Sequence, residues 1–293
     1  MKKYYSIGII ITALLLLGAV LSLNKKKEVK PIAELPKQNF HYSLDSNKEF
    51  YGNLETAKPD LPVANKIYGG IVSHHTYVAT EIAKFFSGLK NQKIKTVVLV
   101  GPNHFGNGAK VLVSSYPYQT PWGIIEPNLD IINQLKNEDL ARSEEQVFET
   151  EHSISALVGS IKYALPDAKL VPIIVNRNLS QAESFKLAEK LNQILPEDSL
   201  ILASADFSHH VDNQVALKQD KISVVLLKSF DYGKIQKLDS KALDSPPTIN
   251  ILLKYLEIKG ALKMEYKNLN SAIFSGNLDS KDVTSYVFAY FSK

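Results

Sequence analysis

The chain has 293 residues, 45% of them hydrophobic, which is enough for one large domain with a core and does not require a second domain. Its net charge of +4 comes from 34 basic and 30 acidic residues, but the only arginines are Arg142 and Arg177, and no basic run stands out in the globular part. This composition argues against nucleic acid as a partner. The absence of cysteine excludes disulfides and thiol nucleophiles, so any metal ligands must be histidines and carboxylates.

The N-terminus predicts a membrane segment. An apolar run over residues 7–23 has lysines on both sides and is close to the ~20 residues that span a bilayer as a helix. No clear cleavage site follows it, so we expect residues 1–27 to be an uncleaved anchor, with a cleaved signal peptide and secretion as the alternative. Both hypotheses place the domain outside the cytoplasm, and the anchor would make the membrane a partner. Residues 28–65 are predicted to be a polar tether that partly packs on the domain and leaves His41 exposed.

The remaining residues, 66–293, alternate between strand and helix patterns. Residues 95–100 are continuously apolar, which is typical of a strand buried on both faces, whereas residues 77–89 have the apolar spacing of a helix. This alternation predicts a single α/β domain with a mainly parallel or mixed central sheet and helices on both faces. The predicted strands are 66–73, 95–100, 110–114, 169–175, 200–204, 264–269 and 283–291; the predicted helices are 77–89, 128–135, 153–164, 181–194, 214–229 and 248–257; Thr120–Gly123 is predicted to be a turn.

Histidines and an aspartate follow three of these strands at the point where each strand ends. His74 follows the first strand, His104 the second, and Asp206 and His209 the strand at 200–204. Ligands of open parallel sheets bind beyond the carboxyl ends of the strands. Since scattered core histidines would not favour this position three times, the sequence predicts one cleft lined by these side chains.

Two imidazoles and one carboxylate form the facial triad of non-haem iron(II) sites. His74 and His104 are the natural pair of imidazoles. The carboxylate is either Asp206 or Asp244, which lies in "KALDSPPTI" just before a predicted helix. The simpler alternative for Asp244 is helix capping beside Ser245, and for each histidine it is a hydrogen-bonded position in a loop.

Three further residues are candidates for proton transfer. Asp206 and His209 are three residues apart and can form an acid–base pair or orient the metal ligands, although Asp206 can instead cap the next helix. His152, in "ETEHSISAL", can handle a proton or contact a substrate, or it can simply stand at a helix start capped by Ser153. A nucleophilic serine at Ser245 is not favoured, because no G-x-S-x-G elbow surrounds it.

Five segments in one order resemble motifs of the Memo family, whose prokaryotic members are called AmmeMemoRadiSam system protein B. "SHHTYVAT" resembles P-H-A-G-Y-x-Y-S, and "GPNHFG" resembles G-P-x-H. "TPWG" matches T-P-x-G, "EHSISAL" resembles E-H-S-x-E but lacks the final glutamate, and "SADFSHH" resembles S-S-D-x-S-H. The resemblance covers about residues 66–293, which we therefore expect to form a Memo-like α/β domain.

The resemblance implies a fold similar to class III extradiol dioxygenases, which use non-haem iron(II), and a cleft with two histidines and a third ligand. In many Memo proteins this ligand is a cysteine in C-G-x-x-P-I; here the segment resembles "DSPPTI", and the position falls on Asp244. A carboxylate in place of a thiolate disfavours copper(I) and favours iron(II), with manganese or zinc as alternatives. The expected metal ligands are His74, His104 and Asp244, and the expected catalytic groups are Asp206, His209 and His152.

The leading hypothesis from the sequence is a dioxygenase-like redox protein that uses a divalent metal and acts on a small molecule. One alternative is a module that binds a metal or ligand without catalysis. Another is a hydrolase in which Asp206 or His209 serves as the base for a metal-activated water. The sequence names neither the substrate nor a protein partner.

Overall fold

Ten strands and nine α-helices lie within residues 39–293, the part of the chain that this computed structural model describes. The strands are β1 (His41–Tyr42), β2 (Gly69–Val72), β3 (Thr96–Pro102), β4 (Val111–Val113), β5 (Tyr118–Thr120), β6 (Gly123–Ile125), β7 (Lys169–Val175), β8 (Ser199–Ser204), β9 (Lys263–Asn270) and β10 (Ser285–Ser292). The helices are α1 (Ala79–Ser87), α2 (Leu129–Asn137), α3 (Glu145–Phe148), α4 (His152–Ala164), α5 (Gln181–Ile194), α6 (Asn213–Ser229), α7 (Tyr232–Ile235), α8 (Pro246–Lys259) and α9 (Ser271–Ser275).

Seven of the strands form a central sheet in the order β4-β7-β3-β8-β2-β10-β9. Successive residues of β3 point into different cores: Val98 and Val100 pack on the face covered by α2, α5, α6 and α8, whereas Val97 and Leu99 pack on the face covered by α1 and α4. Burial on both faces explains why the strand is continuously apolar.

The predicted fold class needs one correction, its membrane helix. The sheet is mixed, as the prediction allowed: the central strands β7, β3, β8 and β2 run parallel, whereas β4, β10 and β9 are paired antiparallel at its two ends. Strand β4 has only three residues, and the five-residue helix α9 lies between β9 and β10. No helix in the described part of the chain is long and apolar enough to cross a bilayer. Residues 7–23, on which that prediction falls, lie outside the described residues.

A second, three-stranded sheet was not predicted. Strand β1 pairs parallel with β5, and β5 pairs antiparallel with β6 around the turn at Thr120–Gly123. His41 in β1 is buried, and its Nε2 lies 2.9 Å from Oε2 of Glu145. The expectation that His41 is exposed is therefore wrong. Aromatic neighbours at Tyr118 and Phe148 cover the ring, and the carboxylate of Glu145 satisfies its nitrogen.

The central sheet brings three chain segments to one edge. Strand β8 lies between β3 and β2, and all three run parallel, so their carboxyl ends are neighbours. His104, Asp206 and His74 each stand two residues beyond the end of their strand. Because adjacent strands are about 4.8 Å apart, side chains that lean toward β8 can meet above its end.

Candidate metal centre

His74 is held with one ring nitrogen toward the protein and the other toward the cleft. Its Nδ1 lies 2.9 Å from Oγ of Ser204, and that hydroxyl donates to the carbonyl oxygen of Ser153 at 2.7 Å. Since the hydroxyl proton is used, Nδ1 of His74 must be the donor, which leaves a lone pair on Nε2. Burial, together with the neighbouring imidazoles His104 and His152, holds the pKa of His74 well below its usual range, so the ring is neutral.

Two buried carboxylates face this lone pair. Nε2 of His74 lies 3.6 Å from Oδ2 of Asp206 and 3.6 Å from Oδ2 of Asp244. The backbone N–H of Asp206 donates to Oδ2 of Asp244 at 2.9 Å, but Oδ1 of each carboxylate is buried without a hydrogen-bond partner among the described residues. Burial raises the pKa of both carboxyl groups, and the nearby Asp206 raises that of Asp244 further. A lone pair and two carboxylates in one pocket repel one another unless a cation or a proton lies between them.

The spacing of these donor atoms fits a divalent ion. Ligand atoms about 2.1 Å from one ion in tetrahedral geometry are about 3.4 Å apart, close to the 3.6 Å found here. The donors are an imidazole and carboxylate oxygens, a set that suits iron(II), manganese or zinc. The orphaned oxygens of Asp206 and Asp244 add acceptors that nothing else in residues 39–293 satisfies.

His104 is oriented by Glu151, a fully buried carboxylate. Oε1 of Glu151 accepts from Nδ1 of His104 at 2.8 Å, and Oε2 accepts from the backbone N–H of His104, also at 2.8 Å. Burial lowers the pKa of His104, but the hydrogen bond and charge of Glu151 outweigh it and raise that pKa. Burial likewise raises the pKa of Glu151, yet the contacts with His104 lower it to about 2. Glu151 is therefore ionised and fixes Nδ1 as the donor, so Nε2 of His104 is the nitrogen free to bind a ligand.

The six predicted site residues all lie at this edge of the sheet, but their grouping differs from the expected one. Donor atoms of His74, His104 and His152 lie within 4.8 Å of one another, and so do donor atoms of His74, Asp206 and Asp244. His74 is common to both groups. His152, expected to be a catalytic group, is thus beside the expected ligands, and its ring stacks on that of His104 with centroids 4.3 Å apart.

Asp244 and His209 lie together at the wall of a cavity of about 450 Å³ that His104 also lines. Asp244 precedes α8 without capping it, because its carboxylate accepts from Asp206, and Ser245 at the cap position makes no side-chain cap bond. Nδ1 of His209 is buried without a partner in the described part of the chain, and burial lowers the pKa of this imidazole.

Sequence analysis missed two residues that orient the histidines. Ser204 is the last residue of β8, and a serine at a strand end carries no signal of its own. Glu151 stands in the segment "EHS", and its position beside His152 was the only indication of a role. Both act by hydrogen bonding across the fold, which spacing along the chain does not reveal.

The fold and site define a mixed α/β domain with a histidine–aspartate cluster beyond the ends of parallel strands. The family model described as Memo-like protein matches residues 48–289, so the chain belongs to the Memo family. It is 27% identical over 272 residues to a MEMO1 family protein of Saccharolobus solfataricus, covering 88% of this chain and 87% of that protein. It is 29% identical over 166 residues to a MEMO1 family protein of Caldivirga maquilingensis, covering 55% of each. The match thus spans about half the length of the Caldivirga relative.

A solved structure of an uncharacterised protein from Escherichia coli K12 aligns with 76% of this chain and 99% of that one. Its TM-score of 0.49 and its identity of 13% are too low to bear on fold or function.

Proposed function

We propose that this Memo-family protein is a metal-dependent, dioxygenase-like redox protein that acts on a small molecule. The observation that supports the proposal best is the lone pair of His74 Nε2, which faces the carboxylates of Asp206 and Asp244 at 3.6 Å. The proposed ligands are His74, His104 and Asp244, with Asp206 close enough to add a fourth donor. A bound divalent ion would supply Lewis acidity and, as iron(II), redox chemistry. Iron(II) is the proposed ion, and manganese and zinc are the alternatives.

The side chains around these ligands have distinct proposed roles. Asp206 holds the carboxylate of Asp244 through its backbone N–H. Burial lowers the pKa of both His152 and His209, so at neutral pH each imidazole is poised to accept a proton rather than donate one. Glu151 keeps His104 oriented and remains ionised. The small molecule would occupy the cavity beside His104 and Asp244.

The proposed ligand set is tested by metal content. We expect the full-length protein, loaded anaerobically with iron(II) and desalted, to retain one ion per chain, whereas His104→Ala and Asp244→Asn retain little. His152→Ala should retain the ion, because it leaves the two imidazoles and the carboxylate in place. Elemental analysis checks this. Loss of iron in His152→Ala with retention in Asp244→Asn would instead identify the three-histidine group as the centre.

The redox part of the proposal is tested by exchanging the ion. We expect oxygen uptake by the iron-loaded protein in the presence of a pool of oxidisable small molecules and none by the zinc-loaded protein, since zinc has no redox chemistry. Oxygen-electrode measurements on the two forms, with His104→Ala as the metal-free control, decide it. Equal turnover of a substrate by the zinc and iron forms would contradict a redox function.

A further inference from the structure

The cavity beside the candidate metal centre is lined by more cationic than acidic side chains. It measures about 450 Å³ and opens directly over His104 and Asp244. Among the described residues, Asp244 is the only acidic side chain that lines it, while two permanent cations and two imidazoles besides His104 also line it. These lining residues are Arg177, Lys241, His209 and His210.

Lys241 contributes a positive charge that has no acidic partner in the described part of the chain. Its backbone carbonyl oxygen accepts from the N–H of His209 at 2.9 Å, which fixes its position next to that imidazole. Its side chain is exposed, and its ammonium makes no ion pair within 4.0 Å with any residue of the described range 39–293. Other lysines, such as Lys110 with Glu183, do have a carboxylate partner. An unpaired ammonium on a cavity wall is a ready partner for an anionic ligand.

Arg177 reinforces the positive charge from a second segment, the turn after β7. Its guanidinium donates to the carbonyl oxygens of Leu238, Leu243 and Asp244 at 2.5–2.7 Å. Carbonyl oxygens hold the guanidinium in place but carry no formal charge. The carboxylates of Asp244 and Asp239 influence Arg177, but no carboxylate of the described residues lies within 4.0 Å of its guanidinium. Hydrogen bonds to the backbone therefore fix the main chain of Lys241 and the guanidinium of Arg177, whereas the ammonium of Lys241 stays free to move toward a ligand.

We propose that this cavity binds a small organic anion whose carboxylate or phosphate group lies against Lys241 and Arg177. The rest of the ligand faces His104 and Asp244. The idea that this anion is the substrate rests on the proposed function. The preference of the cavity for anions rests only on the charges that line it. The ligand is compact, because the cavity has room for a molecule of roughly one or two rings.

The experiment compares benzoate and phenyl phosphate with benzamide, which has the size and shape of benzoate without its charge. Ligand-observed NMR titrations on the full-length protein, with and without added Zn²⁺, give the affinities. We expect benzoate or phenyl phosphate to bind about fivefold or more tightly than benzamide. Lys241→Met should remove most of this preference, whereas Lys237→Met, in the same segment but outside the cavity, should not.

The outcomes separate the two proposals. Equal binding of benzoate and benzamide, or equal effects of Lys241→Met and Lys237→Met, would overturn the anion site even if metal content is normal. An anion preference that depends on Lys241 in a protein that retains no metal would support the anion site and overturn the proposed metal centre. Preference for phosphate over carboxylate, or the reverse, identifies which anion the cavity takes.

Discussion

At the scale of single residues, each proposed histidine ligand has its proton placed by a different group. Ser204 accepts from Nδ1 of His74, and Glu151 accepts from Nδ1 of His104, so both rings direct Nε2 toward the cleft. The two contacts differ in charge, since a hydroxyl is neutral and Glu151 is ionised. Glu151 therefore raises the basicity of its histidine, whereas Ser204 only orients the other one.

Glu151→Gln tests this orienting role. The amide can still fill the space, but it removes the charge that stabilises Nδ1–H of His104, so we expect metal affinity to fall by about 10- to 100-fold. Competition with a chelator of known affinity measures the change. Glu149→Gln, two residues away and exposed, is the matched control and should leave the affinity unchanged. A normal affinity in Glu151→Gln would mean that His104 does not need the negative charge of Glu151 to bind the ion.

His209→Ala tests the division between ligands and proton-handling groups. His209 belongs to neither group of donor atoms that could share an ion, although it lines the same cavity. We expect metal content to stay close to normal and any turnover to fall by about 10²–10⁴-fold, the usual contribution of a general acid or base. Elemental analysis alongside the activity assay gives both values. An empty site in this variant would make His209 a ligand.

At the scale of elements, the segment 238–244 depends on a single side chain from elsewhere in the fold. Arg177 binds three of its carbonyl oxygens, and Asp244 ends the segment just before α8. The guanidinium of Arg177 thus helps to position Asp244, the proposed third ligand. One of the two arginines in a chain of many lysines occupies this position, where a planar, multidentate donor is needed.

Strand β1 gives a test of pH dependence. Burial raises the pKa of Glu145, but hydrogen bonds from His41, Ser114 and the Ser115 amide outweigh it and lower that pKa below its ordinary 4.5. A lowered pKa in the folded state stabilises the protein above pH 4.5, and this contribution is lost as the pH falls below that value. We expect Glu145→Gln to lower the free energy of unfolding by about 1 kcal/mol at pH 7 and by progressively less in acid. Urea unfolding at several pH values measures it; a difference independent of pH would contradict the argument.

At the scale of the whole molecule, the sequence predicted the central strands and the helices within a few residues, because burial on one or both faces leaves a clear periodicity. The membrane-helix part of the predicted fold class has no counterpart in the described part of the chain, and the small sheet was not anticipated. Strands β1, β5 and β6 have two or three residues each, too few for a period to emerge. The positions of Ser204 and Glu151 depended on contacts between distant segments, which no local pattern encodes.

The close packing of the sheet against helices on both faces predicts a large effect at Gly70. A Cβ there would lie 2.8 Å from the carbonyl oxygen of Ala289 and 2.8 Å from the ring of Phe85 in α1. Gly70→Ala should therefore destabilise the domain by about 1–3 kcal/mol. Gly233→Ala, whose Cβ would meet nothing within 4 Å, should be neutral or slightly stabilising. Thermal unfolding of the two variants checks the difference, and equal melting temperatures would refute it.

The site at the end of β8 also has a consequence for folding kinetics. His74, Asp206 and Asp244 come from segments far apart in the chain, and they meet only when β2 and β8 are paired and α8 has docked. Contacts between distant segments form slowly, because the loops that separate them must first close. Uptake of a metal ion during refolding would therefore be one of the last events, and a metal-sensitive dye could time the completion of the sheet.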